Sequence, residues 1–123
     1  MAGFTQARKQ AILDTEYPTS ASTDHIAYST NGTSEAAGVM ARTAIGATGW
    51  AAATAASPSV KANNTALTSA AAGSGGTITH FAVYSASSAG TQKTDWTALT
   101  TSRTVIAGDQ LSWAIGALAI SLA

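Results

Sequence analysis

Residues 77–86 read TITHFAVYSA, and this stretch decides the fold class. β-Branched and aromatic residues crowd a proline-free run, which favours an extended strand over a helix. Successive side chains of a strand point to opposite faces, so Phe81 and Val83 share one face and Ile78, His80, Ala82 and Tyr84 the other. Both faces are apolar enough to be buried. The run Gly73-Ser-Gly-Gly76 leads in as a flexible turn, and SSAGTQKTD at 87–95 leads out as a loop.

Working towards the C-terminus, WTALTTSRTVI (96–106) reads as a second strand and Gly108-Asp109 as a turn, followed by QLSWAIGALAISL (110–122) as a last strand. In that last run Leu111, Trp113 and Ile115 have one parity and Leu118, Ile120 and Leu122 the other. The phase flips at Gly116, which predicts a β-bulge there. Working towards the N-terminus, HIAYST (25–30) is a strand and NGTSEAAG (31–38) a turn and loop, because Asn-Gly tolerates positive φ. A further strand is expected over Val39 to Ile45, ended by Gly46 and Gly49 ahead of Trp50. The stretch from Ala51 to Gly76 is low in complexity, with short strands over Val60–Asn63 and Thr65–Ser69 and Pro58 as punctuation.

The only helical segment is Phe4 to Leu13, closed by Pro18. Helical spacing puts Phe4, Ala7, Ala11 and Ile12 on one face and leaves Arg8, Lys9 and Asp14 in water. Closely spaced short strands with one helix at the end predict an all-β fold: a small antiparallel sandwich or barrel, jelly-roll-like, with a short N-terminal helix. At 123 residues this is one domain, with 1–18 as helix or arm and 24–123 as the sandwich.

Six basic and six acidic residues cancel, and only 10% of the chain is charged. Binding nucleic acid or an anionic membrane needs clustered cations, yet Lys61, Lys93 and Arg103 are scattered and only Arg8 and Lys9 adjoin. Neither nucleic acid nor membrane is an expected partner. A near-zero net charge removes the repulsion that keeps monomers apart, which suits a subunit that assembles. Cysteine is absent, so disulfides and thiolate chemistry are excluded. The charged N-terminal stretch lacks the apolar core of a secretory signal, and synthesis in a bacterial cytoplasm is expected.

No residue set points to catalysis, a cofactor or a metal. His25 and His80 lie inside predicted strands without metal-ligand spacing, so hydrogen-bonded structural roles are expected. No G-x-S-x-G elbow occurs, and the acidic residues fall in turns and strand ends, where solvated capping is ordinary. Gly73-Ser-Gly-Gly76 precedes a strand, whereas a phosphate loop precedes a helix. Asn31-Gly-Thr33 and Asn63-Asn-Thr65 match the glycosylation sequon but read as turn chemistry. Tryptophan in a small sandwich usually fills core, and the interface candidates are Phe4, Arg8, Ile12, Trp50 and Trp96.

Taken together, GTITHFAVYSASSAG and WTALTTSRTVIAGDQLSWAIGALAISL resemble a family of small tailed-bacteriophage virion proteins, some tail fibre or minor tail proteins and others capsid decoration proteins. Thr79-His80-Phe81, Ala98 to Thr101, Gly108-Asp109 and Gly116 stand at the family's motif positions, MAGFTQARKQAIL is similar to its opening helix, and Val39 to Arg42 sits at its "yaR" element. The chain departs from the pattern at Asn31-Gly-Thr-Ser34, where the family carries a proline-containing turn. The resemblance implies a structural role in the virion without catalysis. Its expected partners are the major capsid protein or tail proteins of the same particle and further copies of itself, a trimer being one arrangement. A short, neutral chain rich in small side chains suits dense packing on a shell, so capsid decoration is the expectation, with a small tail fibre protein as the alternative.

Overall fold

The strand-rich reading is met in a computed structural model, which describes residues 3–56 and 58–122. Among these residues one helix, α1 (Gln6–Glu16), precedes eight strands: β1 (His25–Ser29), β2 (Thr43–Ala44), β3 (Ser59–Ala62), β4 (Leu67–Thr68), β5 (Gly76–Tyr84), β6 (Thr97–Val105), β7 (Ser112–Trp113) and β8 (Ala119–Leu122). The fold is all-β and antiparallel with a single short helix. It divides into two compact units built from interleaved segments: the described residues of Met1–Ser22, Ile45–Ala66 and Trp113–Ala123 form the first, Thr23–Ala44 and Leu67–Ser112 the second.

The second unit is organised by β5, the TITHFAVY strand, which lies between β1 and β6 in a sheet ordered β2-β1-β5-β6. Phe81, Ala82 and Val83 are buried in succession, so both faces are covered as the apolar pattern requires. Its pairing with β1 runs unbroken from His25↔Tyr84 to Ser29↔His80. Its pairing with β6 does not: between Ile78↔Arg103 and His80↔Ala98 stand Thr79 on one strand and Leu99, Thr100, Thr101 and Ser102 on the other. The irregularity of the sheet therefore lies in β6, not at Gly116.

Turn chemistry in this unit follows the sequence. The Asn31 side-chain oxygen accepts from the Thr33 and Ser34 amides at 2.9 and 3.1 Å, and Gly32 takes φ +78°. Gly32 must also be bare because the His80 ring stands 2.8–3.2 Å from where a Cβ would lie. Asp109 Oδ2 accepts the Ile106 amide at 3.0 Å while Gly108 takes φ +94°, closing the turn after β6. The strand expected over 39–45 is reduced to β2, because the Val39 and Met40 amides turn back onto the Ala36 carbonyl at 3.0 Å.

In the first unit α1 starts at Thr5, whose hydroxyl accepts the Arg8 amide at 3.2 Å. Its buried positions are Lys9 and Leu13, extended by Tyr17 at the same spacing, and Tyr17 meets the Trp50 ring edge-on with centroids 5.6 Å apart. The expected orientation is thus corrected: the Phe4, Ala7, Ala11 and Ile12 side is exposed and Lys9 is buried. The larger Leu13 and Tyr17 side chains win the interior, and the lysine stem packs with them. α1 packs on β3 rather than extending as an arm. Lys61 of β3 is wholly buried and reaches Asp14 of α1, Nζ to Oδ1 2.7 Å.

Asn63 locks the rest of the unit. Its Nδ2 donates to the Thr65 and Ala114 carbonyls at 2.8 and 2.9 Å, its Oδ1 accepts the Leu118 amide at 3.0 Å, its amide donates to the Leu118 carbonyl and its carbonyl accepts the Gly116 amide. This holds a turn over Ala114–Ala117 in which Gly116 takes φ +80°. The expected bulge in one long final strand is therefore a reversal between two strands, β7 and β8, and the parity change marks a new partner: β8 pairs with β3, and β7 with β4.

Burial works to raise the Asp14 pKa, but the Lys61 hydrogen bond, the Ala53 amide and the Lys61 charge outweigh it and hold the carboxyl below its ordinary value. A carboxyl depressed on folding contributes stability that is present above its unfolded pKa of ~3.9 and lost as pH falls through the lower folded value. Acid unfolding followed by circular dichroism should therefore lose part of its dependence on pH below about 4 in Asp14→Asn. At pH 7 that variant, which leaves Lys61 buried without its counter-charge, should lose about 3 kcal/mol, the lower end for a buried pair because Asp14 keeps contact with water. Asn63→Ala removes three hydrogen bonds, one buried and two partly buried, and should cost about 3 kcal/mol in urea unfolding.

Candidate contact surfaces

In the second unit the Arg42 side chain, only 7% exposed, makes four hydrogen bonds. Its Nε and Nη2 donate to the two Glu35 carboxylate oxygens at 2.9 and 2.8 Å, a bidentate fork. Nη1 donates to the carbonyls of Ala86 and Ala89 at 2.9 and 2.8 Å, and the guanidinium carbon stands 3.9 Å from the Tyr84 ring centroid. The Glu35 hydrogen bond raises the Arg42 pKa further, so its charge is permanent.

This clamp fixes the chain that follows β5. The Ser85 amide donates to the Thr91 carbonyl at 3.0 Å and the Thr91 amide to Ser85 Oγ at 2.9 Å, which closes a tight loop. At its tip Ala89 takes φ +52°, a conformation that costs a non-glycine residue about 1–2 kcal/mol and is held by the Arg42 bond to its carbonyl. Ser87, Ser88, Ala89 and Gly90 are exposed, and a shallow depression of about 180 Å³ separates Ser87–Ala89 from Glu35, Ala37, Ala41 and Arg42. Beside the loop Tyr84 and Trp96 lie half-buried with ring centroids 6.2 Å apart, and the Tyr84 hydroxyl donates to Gln92 at 3.2 Å. The result is an exposed rim of hydroxyls and amides next to aromatic rings.

A second surface lies on the outward side of α1 in the first unit. Phe4, Arg8, Ala11, Ile12, Thr15 and Glu16 line a depression of about 430 Å³, with Phe4 60% and Ile12 40% exposed. Three of the five residues picked from the sequence, Phe4, Arg8 and Ile12, thus come together. The other two do not join them. Trp50 is 1% exposed and is a core residue of its unit, so a surface role for it is corrected, whereas Trp96 belongs to the second unit beside Tyr84. The Arg42 clamp was missed, although Glu35 in a predicted loop and Arg42 in the strand expected after it, in a chain so poor in charge, were a signal.

The histidines are engaged locally. His25 Nδ1 lies 2.8 Å from the Thr23 carbonyl, and His80 Nδ1 lies 2.8 Å from Thr79 Oγ1 with its ring over Gly32. Among the described residues no three His, Cys, Asp or Glu side chains gather as metal ligands, and no helix is long and apolar enough to cross a membrane.

Fold and surfaces define a class: a small β-rich module with a clamped, hydroxyl-rich loop and an exposed helix side. The family model described as podophage GP4 fiber I protein gp80 matches residues 10–121. The chain belongs to that family and is a structural component of a phage virion. No curated protein matches it.

Arg42→Lys keeps the charge but loses the fork and the stacked plane. It should speed hydrogen exchange at the Ser85 and Thr91 amides by tenfold or more while leaving the amides of β1 protected, and should lower stability by about 2 kcal/mol.

Proposed function

We propose that this chain is a non-catalytic component of the phage fibre, binding neighbouring tail proteins of the same particle and presenting the loop over Ser85–Thr91 as its outward contact. The observation that carries this reading is the family match over residues 10–121, whose description names a fibre protein. The clamp around Arg42 supports it, since a strained loop held by two hydrogen bonds from Arg42, itself forked onto Glu35 by two more, is pre-organised and loses little entropy on binding. Half-buried Tyr84 and Trp96 beside exposed Ser87, Ser88 and Gln92 suit a polar ligand such as host-surface polysaccharide.

Capsid decoration is the second reading, favoured by a short, neutral chain rich in small side chains. Quantitative mass spectrometry of purified virions separates the two. A handful of copies per particle is expected for a fibre; a ratio near one or one-third per major capsid subunit would instead assign the chain to the shell, where its removal should destabilise the head. Replacing Ser87, Ser88 and Gln92 together by Ala should reduce adsorption to host cells at least tenfold while particles still assemble with normal content of this chain. Unchanged adsorption would exclude the loop as the host contact.

A further inference from the structure

The turn after β1 contains the only Asn-Gly pair of the chain, Asn31-Gly32, and the fold calls for both residues. Glycine is required at 32, since its φ is +78° and the His80 ring fills the place of a side chain. Asn31 organises the turn: its Oδ1 accepts from the Thr33 and Ser34 amides and from the Ser29 and Thr33 hydroxyls at 2.9–3.1 Å, and its Nδ2 donates to Ser34 Oγ at 3.4 Å. The same pair is chemically the most reactive, because a glycine carries no side chain to shield its nitrogen. Hydroxide removes the Gly32 amide proton, the nitrogen bonds to Asn31 Cγ, and the Cγ–Nδ2 bond breaks, the nitrogen leaving as ammonia with a proton taken from water. Water then opens the cyclic imide to aspartate or isoaspartate. The four donors on Oδ1 favour that attack, since they would stabilise the negative charge developing there.

We propose that Ser29 guards this deamidation site, holding the Gly32 nitrogen turned away from Asn31 Cγ so that the reaction runs only when the turn opens. The Gly32 amide donates to Ser29 Oγ at 2.9 Å, and Ser29 is wholly buried. A peptide nitrogen is planar, so once deprotonated it attacks through the in-plane lone pair left along its former N–H direction. Ser29 Oγ occupies that direction, so Asn31 Cγ does not lie on it, and the donors on Oδ1 polarise a carbon that the nucleophile does not face. The same hydroxyl donates to Asn31 Oδ1 at 3.1 Å and accepts the Asn31 amide at 3.2 Å, which ties both reacting groups to one buried point. An amide bonded in this way gives up its proton to solvent only through a local opening. Isoaspartate would add a methylene to the backbone and displace Gly32 from the narrow space beside the His80 ring. A virion component is not renewed after release, which gives the guard its use.

The test is peptide mass spectrometry of the full chain incubated in mildly alkaline buffer, following the aspartyl and isoaspartyl forms at position 31 with time. Folded wild type is expected to react more slowly than the same chain in strong urea by about tenfold or more. Across lower urea concentrations, where the chain stays folded, the reaction and the hydrogen exchange of the Gly32 amide should quicken together, since one opening exposes both. Ser29→Ala should speed the reaction of the folded chain by about tenfold, with the β1 amides still protected and the rate in strong urea equal to that of wild type. If Ser29→Ala does not fold, the wild-type urea series decides alone. Folded wild type reacting as fast as the unfolded chain, a reaction that outruns Gly32 exchange, or a folded Ser29→Ala no faster than wild type would each overturn the proposal.

Discussion

Asn63 is buried with its amide protons, side-chain oxygen, N–H and C=O all bonded, and the first unit is arranged around that constraint. A chain so rich in Ala, Ser and Thr has few large side chains with which to fix segments distant in sequence, and apolar burial alone is non-directional. One amide bonded to Thr65, Ala114 and Leu118 fixes where the last segment turns and hence which residues of β8 meet β3. Asp14–Lys61 does the same for the helix. Among the described residues no buried side-chain nitrogen or oxygen lacks a partner, the condition under which a polar interior specifies a structure rather than weakening it.

Charge is used in the same way. Asp14–Lys61, Asp24–Lys93 and Glu35–Arg42 take six of the twelve charged residues, and in each pair one side chain is no more than 7% exposed. The first two join residues far apart in sequence. Such pairs add little net stability against an apolar replacement, but each leaves a buried charge uncompensated in any other arrangement, which disfavours misfolded alternatives. Scarce as it is, half of the charge thus serves registration.

What was legible was local. The TITHFAVY strand, the HIAYS strand, the Asn31-Gly32 turn and the Gly108-Asp109 turn each depend on propensities of adjacent residues. What was not legible depended on a distant partner. Helical spacing could not tell the Phe4–Ile12 side from the Leu13–Tyr17 side, because the choice rests on Trp50 and Lys61 from other segments. Parity at Gly116 registered a change of face but could not separate a bulge from a turn, since both use a glycine with freedom in φ. The real irregularity, in β6, falls in a Thr-rich run whose side chains are exposed on either face and therefore leave no trace in the hydrophobic pattern. For the contact surfaces, Phe4, Arg8 and Ile12 were found as a group because they are helical neighbours, while the Arg42 clamp joins the Glu35 turn to the 85–91 loop across the fold.

The internal use of charge has a consequence outside. Of the charged residues only Arg8, Glu16, Asp95, Arg103 and Asp109 are exposed, and the remaining surface is largely Thr, Ser, Ala and Gly. Hydroxyls and small apolar groups are far cheaper to desolvate than charges, and interface centres are depleted of charged residues for that reason. A particle component must bury much of its surface against neighbours while still folding before they arrive. Placing charged side chains inside as pairs and leaving a hydroxyl-rich exterior meets both needs.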